Sequence, residues 1–265
     1  MIPKIIHYCW FGENPLPESA LKCIESWKRF LTDYEIKEWN ETNFDLNCCD
    51  YVKEAYAAKK WAFVSDYVRF RVLYDEGGIY FDTDVELIAS IDDIIERGPF
   101  LGMEGNNVAP GLGLSANPGL GLLRDVLDHY ESIHFVNETA SGDLDNVVTY
   151  TTDILRKKGF VGGKEIECID GVWIYPPEYF DPMEFITGKI TITENTKSIH
   201  HYSASWFTDK EKKRLELQHK LAEKYKRINW ESVFNSGLWK VIMNVYAYGM
   251  KKTIKKVFSY FCGWR

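Results

Sequence analysis

The sequence has little that would mark a secreted or membrane-spanning chain. Its six cysteines form no C-x-x-C pair, and the one close couple, Cys48-Cys49, is vicinal and poorly placed for an ordinary disulfide. They read as reduced thiols. No stretch reaches the ~20 apolar residues of a membrane span, and the apolar run in the opening MIPKIIHYCWFG is too short for a signal-peptide core. Together these absences predict a cytoplasmic protein. There is no internal repeat and no low-complexity segment, and the 9 prolines and 19 glycines are scattered, so no long linker is expected. Neither a Gly-x-Ser-x-Gly elbow nor a His-Glu-x-x-His helix is present, which removes the commonest hydrolase routes. Gly111-x-Gly113 lacks the third glycine and the Lys-Ser/Thr of the phosphate-loop motifs. Close backbone approach or tight packing is the better reading of that stretch.

What is present is a core. The 265 residues are 45% apolar and include 9 Trp, 16 Tyr and 15 Phe, which excludes disorder, collagen and coiled coil. Charge is uneven. Residues 207–265 carry 11 Lys and 3 Arg against 5 acidic residues, a net +9, and residues 1–206 are left at −16. An acidic body argues against a nucleic-acid groove and suits metal coordination by carboxylates, whereas the basic tail suits an anionic membrane surface. Between residues 238 and 261, apolar positions recur at helical spacing while Lys251, Lys252, Lys255 and Lys256 take another face. This predicts a basic amphipathic helix, either lying on a membrane or packed on the body.

Helices and strands alternate along the body. Residues 4–10 read as a buried strand, 19–30 as a helix with Leu21, Ile24, Trp27 and Leu31 on one face, and 34–39 as a strand, a β-α-β start. Residues 51–74 read as one helix stopped by Gly77-Gly78, followed by a strand over residues 79–82. Further elements are expected at 91–96, 100–104, 121–133 and 146–158, and Thr208-x-x-Glu211 is a capping box.

The chemistry centres on Asp82-Thr83-Asp84. If the strand continues through them, both carboxylates project to one face together with Tyr80 and Glu86. Such a pair suits a hard divalent cation, Mn²⁺ or Mg²⁺, holding a diphosphate. A D-x-D alone is also met as a solvated strand edge. Asp66 and Arg69, three apart on the preceding helix, offer a hydroxyl acceptor and a phosphate ligand, or simply an ion pair. Trp10 and Tyr80 are either stacking surfaces or core.

The run Ser65-Asp66-Tyr-Val-Arg69-Phe-Arg-Val-Leu-Tyr-Asp-Glu-Gly77-Gly78-Ile-Tyr80-Phe-Asp82-Thr-Asp84 resembles the signature of glycosyltransferase family 32, which contains a DXD motif. The opening Ile2-Pro3-Lys4-Ile5-Ile6-His7-Tyr-Cys-Trp10-Phe-Gly12 and the late His200-His201-Tyr-Ser-Ala-Ser-Trp206 also match, so the resemblance covers residues 1–206. It implies a GT-A fold, a Rossmann-like α/β/α domain over residues 1–206, with a helical C-terminal extension over 207–265. It implies transfer of a hexosyl residue with retention from a nucleotide-sugar, UDP-linked by resemblance, to a glycan or lipid-linked glycan acceptor of surface polysaccharide such as capsule or lipopolysaccharide. In that reading Trp10 stacks on the base, Asp66 and Arg69 bind donor sugar and phosphates, and Tyr80 lines the nucleotide pocket. Asp82 meets ribose and metal, Asp84 is the principal metal ligand, and His201 adds a further ligand. Ser205 and Trp206 approach the diphosphate. Glu104 and Asn106 are acceptor contacts or a polar loop. The rival readings are metal-dependent phosphodiester hydrolysis and non-catalytic binding of a nucleotide-sugar or glycan.

Overall fold

The parallel β-α-β start forms as the sequence predicts. In the computed structural model, which describes residues 1–135, 146–185, 187–203 and 209–224, β1 (Ile5–Cys9) is followed by α1 (Glu18–Phe30) and β2 (Glu35–Trp39), with β1 and β2 in parallel register. Along α1 the apolar stripe is narrower than expected. Ile24 and Trp27 are buried, but Leu21 is 48% exposed. Trp27 is anchored from both ends, by its ring against Tyr8 and Phe81 and by its indole N–H donating to the Val85 carbonyl at 2.7 Å.

The expected single helix over 51–74 is two, α2 (Asp50–Ala57) and α3 (Trp61–Glu76). Lys59 between them has φ +58°, a left-handed residue that no α-helix accommodates. Next come β3 (Gly78–Tyr80), β4 (Val85–Leu87), α4 (Asp92–Ile95), β5 (Phe100–Glu104), β6 (Asn107–Val108) and β7 (Leu114–Ala116). β7 falls inside the glycine-rich stretch, where the sequence suggested no strand. The order continues with α5 (Gly121–Glu131), α6 (Val147–Lys157), β8 (Glu167–Ile169), β9 (Val172–Tyr175), α7 (Pro177–Phe180), β10 (Ser198–His200) and α8 (Asp209–Lys224). At α6 the Asn146 side chain caps the helix, accepting from the Val148 and Thr149 amides.

The main sheet runs β2-β1-β3-β7-β5-β9-β8, with β6 paired to β5. β1, β2, β3, β5 and β9 point one way, and β7 and β8 run against them. Alternation along the strands feeds two apolar layers. Ile6, Tyr8, Ile79, Phe100 and Tyr175 pack with Ile24 and Trp27 of α1, Ile94 of α4 and Phe180 of α7. On the opposite face Tyr80, Leu101, Met103, Leu114 and Ile174 pack with Val52 of α2, Val68 and Phe70 of α3, Leu123 and Leu127 of α5 and Leu155 of α6. Helices therefore cover both faces, the Rossmann-like α/β/α arrangement that the sequence predicts.

The bend before β3 is built by glycines and a buried histidine. Gly77 and Gly78 have φ +67° and +104°, and a Cβ on Gly78 would lie 2.5 Å from the Ile5 carbonyl. His7, fully buried, accepts from the Trp39 indole at Nδ1 (3.0 Å), so its proton sits on Nε2 and is donated to the Gly77 carbonyl at 2.8 Å. Burial pulls its pKa below the ordinary imidazole value, which keeps the ring neutral in this role.

Two units partition the chain: residues 1–182 with 191–203, and residues 183–190 with 204–265. In the second, His219 on α8 bonds the Phe185 carbonyl at 2.9 Å through Nε2. The boundary expected at residue 206, the Thr208 capping box and the helix expected over 238–261 lie outside the described residues. Among the described residues, no helix is long and apolar enough to cross a membrane.

Candidate active site

In open α/β sheets ligands gather beyond the carboxyl ends of the parallel strands. Here those ends deliver Trp10 after β1, Asp82 and Asp84 after β3, and Glu104 at the end of β5. The D-x-D segment is not extended, as the strand argument assumed. It forms a turn closed by the Val85 amide on the Asp82 carbonyl at 3.1 Å, and β4 beyond it pairs with β10 outside the main sheet. The two carboxylates consequently meet different partners.

Asp82 belongs to the α3 side. The Arg69 guanidinium, only 4% exposed, lies 3.0 Å from Asp66 Oδ1 and 3.3 Å from Asp82 Oδ1, and its Nε donates to the Ser65 carbonyl at 3.1 Å. It sits over the Tyr80 ring at 4.9 Å, and the Tyr80 hydroxyl donates to Asp82 Oδ1 at 2.9 Å. Burial opposes the Arg69 charge, but Asp82, Tyr80 and Asp66 outweigh it and raise its pKa further. Burial pushes Asp66 up to about 7 against the pull of Arg69. Helical spacing makes this possible, since i and i+3 share a face.

Gly111 shows how tightly Asp82 is seated. Its carbonyl accepts from the Asp82 amide at 2.9 Å, and a Cβ there would fall 1.9 Å from Asp82 Oδ2. Gly111→Ala is expected to leave the fold intact, because a flexible carboxylate is what must yield, while lowering kcat by about 10²-fold through misplacement of Asp82. Thermal melting and turnover measured side by side check this; unchanged turnover would show that the seat is irrelevant.

Asp84 belongs to the β10 side. Its Oδ1 lies 3.3 Å from His200 Nε2, and its Oδ2 accepts from the Ser203 amide and hydroxyl, both at 2.9 Å. Burial favours the neutral acid, yet the His200 charge and these hydrogen bonds outweigh it and hold Asp84 below the usual carboxylate range. Burial likewise disfavours the His200 imidazolium, but Asp84 wins and raises its pKa.

The structure places the two histidines apart. Pairing of β10 with β4 sets Ile199 opposite Glu86, so His201 falls on the Glu86 face and bonds that carboxylate at 2.8 Å, whereas His200 turns to Asp84. Trp10 is half-buried, with its indole donating to the Asn14 carbonyl at 2.6 Å. Ser205 and Trp206 lie outside the described residues. Three residues that sequence reasoning missed join the site. Ser203 holds Asp84, and the Tyr202 ring packs, tilted, on His200 with ring centroids 4.1 Å apart. Asp181 accepts from the Tyr202 hydroxyl at 2.8 Å and is pushed up to about 7, chiefly by burial. Nothing in the sequence marks Asp181, the residue that follows the short helix α7.

Among the described residues, no three His, Cys, Asp or Glu side chains come together as a ready-made metal site. The donor set nonetheless fits a hard divalent cation sharing a phosphate ligand: two carboxylates, one of them held ionised.

A 102-residue stretch is 30% identical to inositol phosphoceramide mannosyltransferase 3 of Schizosaccharomyces pombe, covering 36% of this chain and 27% of that protein. The chain thus spans about a quarter of that relative's length. Among solved structures, the PaToxG glycosyltransferase aligns over 60% of this chain and 69% of its own at 18% identity and a TM-score of 0.47. A glycosyltransferase involved in glycosylation of the major capsid of PBCV-1 aligns over 81% of this chain and 100% of its own at 12% identity and a TM-score of 0.42. Residues 17–101, from α1 through the D-x-D turn to β5, match the family model of the glycosyltransferase sugar-binding region containing the DXD motif.

Proposed function

We propose that this protein is a metal-dependent, retaining hexosyltransferase that takes its sugar from a UDP-linked donor. The observation that carries the reading is the buried Arg69 guanidinium held between Asp66 and Asp82 at the carboxyl end of the sheet, with Asp84, held ionised by other partners, two residues beyond Asp82. Bound at Asp82 and Asp84, Mn²⁺ or Mg²⁺ would supply Lewis-acid neutralisation of the diphosphate leaving group. Arg69 adds a fixed positive charge to the same end, where charge builds as the glycosidic bond breaks. Asp66, buried against Arg69, orients donor hydroxyls, and Trp10 offers a π-face for the base. His200 is ion-paired with Asp84 and would have to release its proton to join the cation's surroundings, while His201 bonds Glu86 instead. No side chain is assigned as general base, since front-face attack lets the departing phosphate take the acceptor's proton.

The acceptor in this reading is a glycan or lipid-linked glycan of a surface polysaccharide such as capsule or lipopolysaccharide, met at the cytoplasmic face of a membrane. A curated relative named for a phosphoceramide acceptor supports a lipid-linked one. The +9 tail supplies the membrane attraction. Truncation after Ile228 is expected to abolish sedimentation with anionic liposomes, and unchanged sedimentation would remove the membrane contact. For the reaction itself, a panel of nucleotide-sugars with Mn²⁺ is read by nucleoside diphosphate release. Release with one UDP-hexose and acceptor supports transfer, whereas binding without release from any donor would favour a non-catalytic scaffold.

A further inference from the structure

Tyr202 adopts a backbone conformation that bulky side chains avoid: its φ is +47°, in the left-handed region. Two sets of contacts hold it there. The ring packs on His200, with centroids 4.1 Å apart and planes 46° apart. The hydroxyl is clamped between two carboxylates, 2.9 and 2.8 Å from the oxygens of Asp181 and 3.2 Å from Glu104 Oε1. One phenolic proton cannot satisfy three acceptor oxygens, so the clamp confines the hydroxyl from two sides.

The turn has a consequence one residue later. Just past the left-handed Tyr202, Ser203 brings both its amide and its hydroxyl to 2.9 Å from a single oxygen, Asp84 Oδ2. That leaves Asp84 Oδ1 facing His200. An oxygen carrying two donors is fixed in direction, and with it the orientation of the whole carboxylate. Residues that orient a metal-ligating carboxylate in this way govern its affinity although they never touch the ion.

We propose that Tyr202 is a positioning residue for Asp84: its clamped hydroxyl holds the left-handed turn that presents Ser203 to one carboxylate oxygen and aims the other at the cation. Glu104 and Asp181 are then anchors of this turn rather than contacts to the acceptor. The inference rests on the metal-dependent reading given above, and its test separates the two.

Mn²⁺ alone is titrated into the full-length protein, with unbound ion followed by its electron paramagnetic resonance signal. Tyr202→Phe keeps the ring on His200 and removes only the clamp, and Ser203→Ala removes the hydroxyl donor without touching the core. Each is expected to weaken Mn²⁺ binding, Tyr202→Phe by about tenfold, with unchanged melting for Ser203→Ala. Because both act along one path, the double variant is expected to lose less than the product of the two single losses. Fully multiplicative losses would overturn the shared path. Binding weakened by Asp84→Asn but unchanged or tightened by Tyr202→Phe would overturn the positioning role and leave the proposed function standing. Binding untouched by Asp84→Asn would overturn the metal assignment and this inference together.

Discussion

Asp84→Ala is expected to lower nucleoside diphosphate release from the nucleotide-sugar by on the order of 10³-fold or more. The carboxylate is built to stay ionised, with His200 on one oxygen and two Ser203 donors on the other. Removing it deletes the best anion at the site and leaves the His200 imidazole without its counter-charge. The ring can shed its proton, so the stability cost is confined to about 1–3 kcal/mol, that of unpaired buried donors. Loss of turnover should therefore greatly exceed loss of folded protein. Asp84→Asn sharpens the comparison, because the amide keeps the size of the side chain while discarding its charge. Release at the wild-type rate from either variant would contradict the assignment of Asp84.

Arg69 has the second large effect, and there stability and activity fall together. Among the described residues, its guanidinium is the cation in contact with both Asp66, which is buried, and Asp82, which is half-buried. Arg69→Ala strands two carboxylates beside one another, at a cost of about 3–5 kcal/mol, and should be visible as a large drop in melting temperature. Arg69→Lys separates the two roles. A point charge still neutralises the carboxylates, but it cannot reach Asp66, Asp82 and the Ser65 carbonyl at once as the planar fork does. Most of the stability should return while kcat/KM stays down by about 10²-fold. A lysine variant with full activity would reduce Arg69 to a structural ion pair.

How much of this was legible in the sequence depends on whether local pattern or distant pairing decided the outcome. The first β-α-β unit, the strand at Phe100–Glu104 and the helix capped by Asn146 follow from periodicity and end signals, and they form close to where the pattern places them. Arg69 beside Asp66 is also local, set by helical spacing. The D-x-D turn is different. Period-two alternation put both carboxylates on one strand face, but the chain leaves the sheet after Tyr80 and β4 pairs with β10, more than a hundred residues away. That long-range pairing selects His200 for Asp84 and sends His201 to Glu86. No local pattern reports it. Gly111 carries a similar lesson, because its reason for being glycine is the Asp82 carboxylate seated against it from the turn after β3. Asp181 and Ser203 acquire meaning only through Tyr202, whose left-handed backbone leaves no trace in residue type.

The central claim is that the paired acids after the Gly77-Gly78 bend hold a divalent cation against a diphosphate. Crystals soaked with Mn²⁺ and UDP test it most directly, with anomalous scattering at the manganese edge locating the ion. The account predicts one strong peak bonded to Asp84, adjoining Asp82 and in contact with the diphosphate oxygens, with the Arg69 guanidinium beside them. A diphosphate bound elsewhere, or a manganese peak remote from both carboxylates while UDP occupies the strand ends, would contradict it.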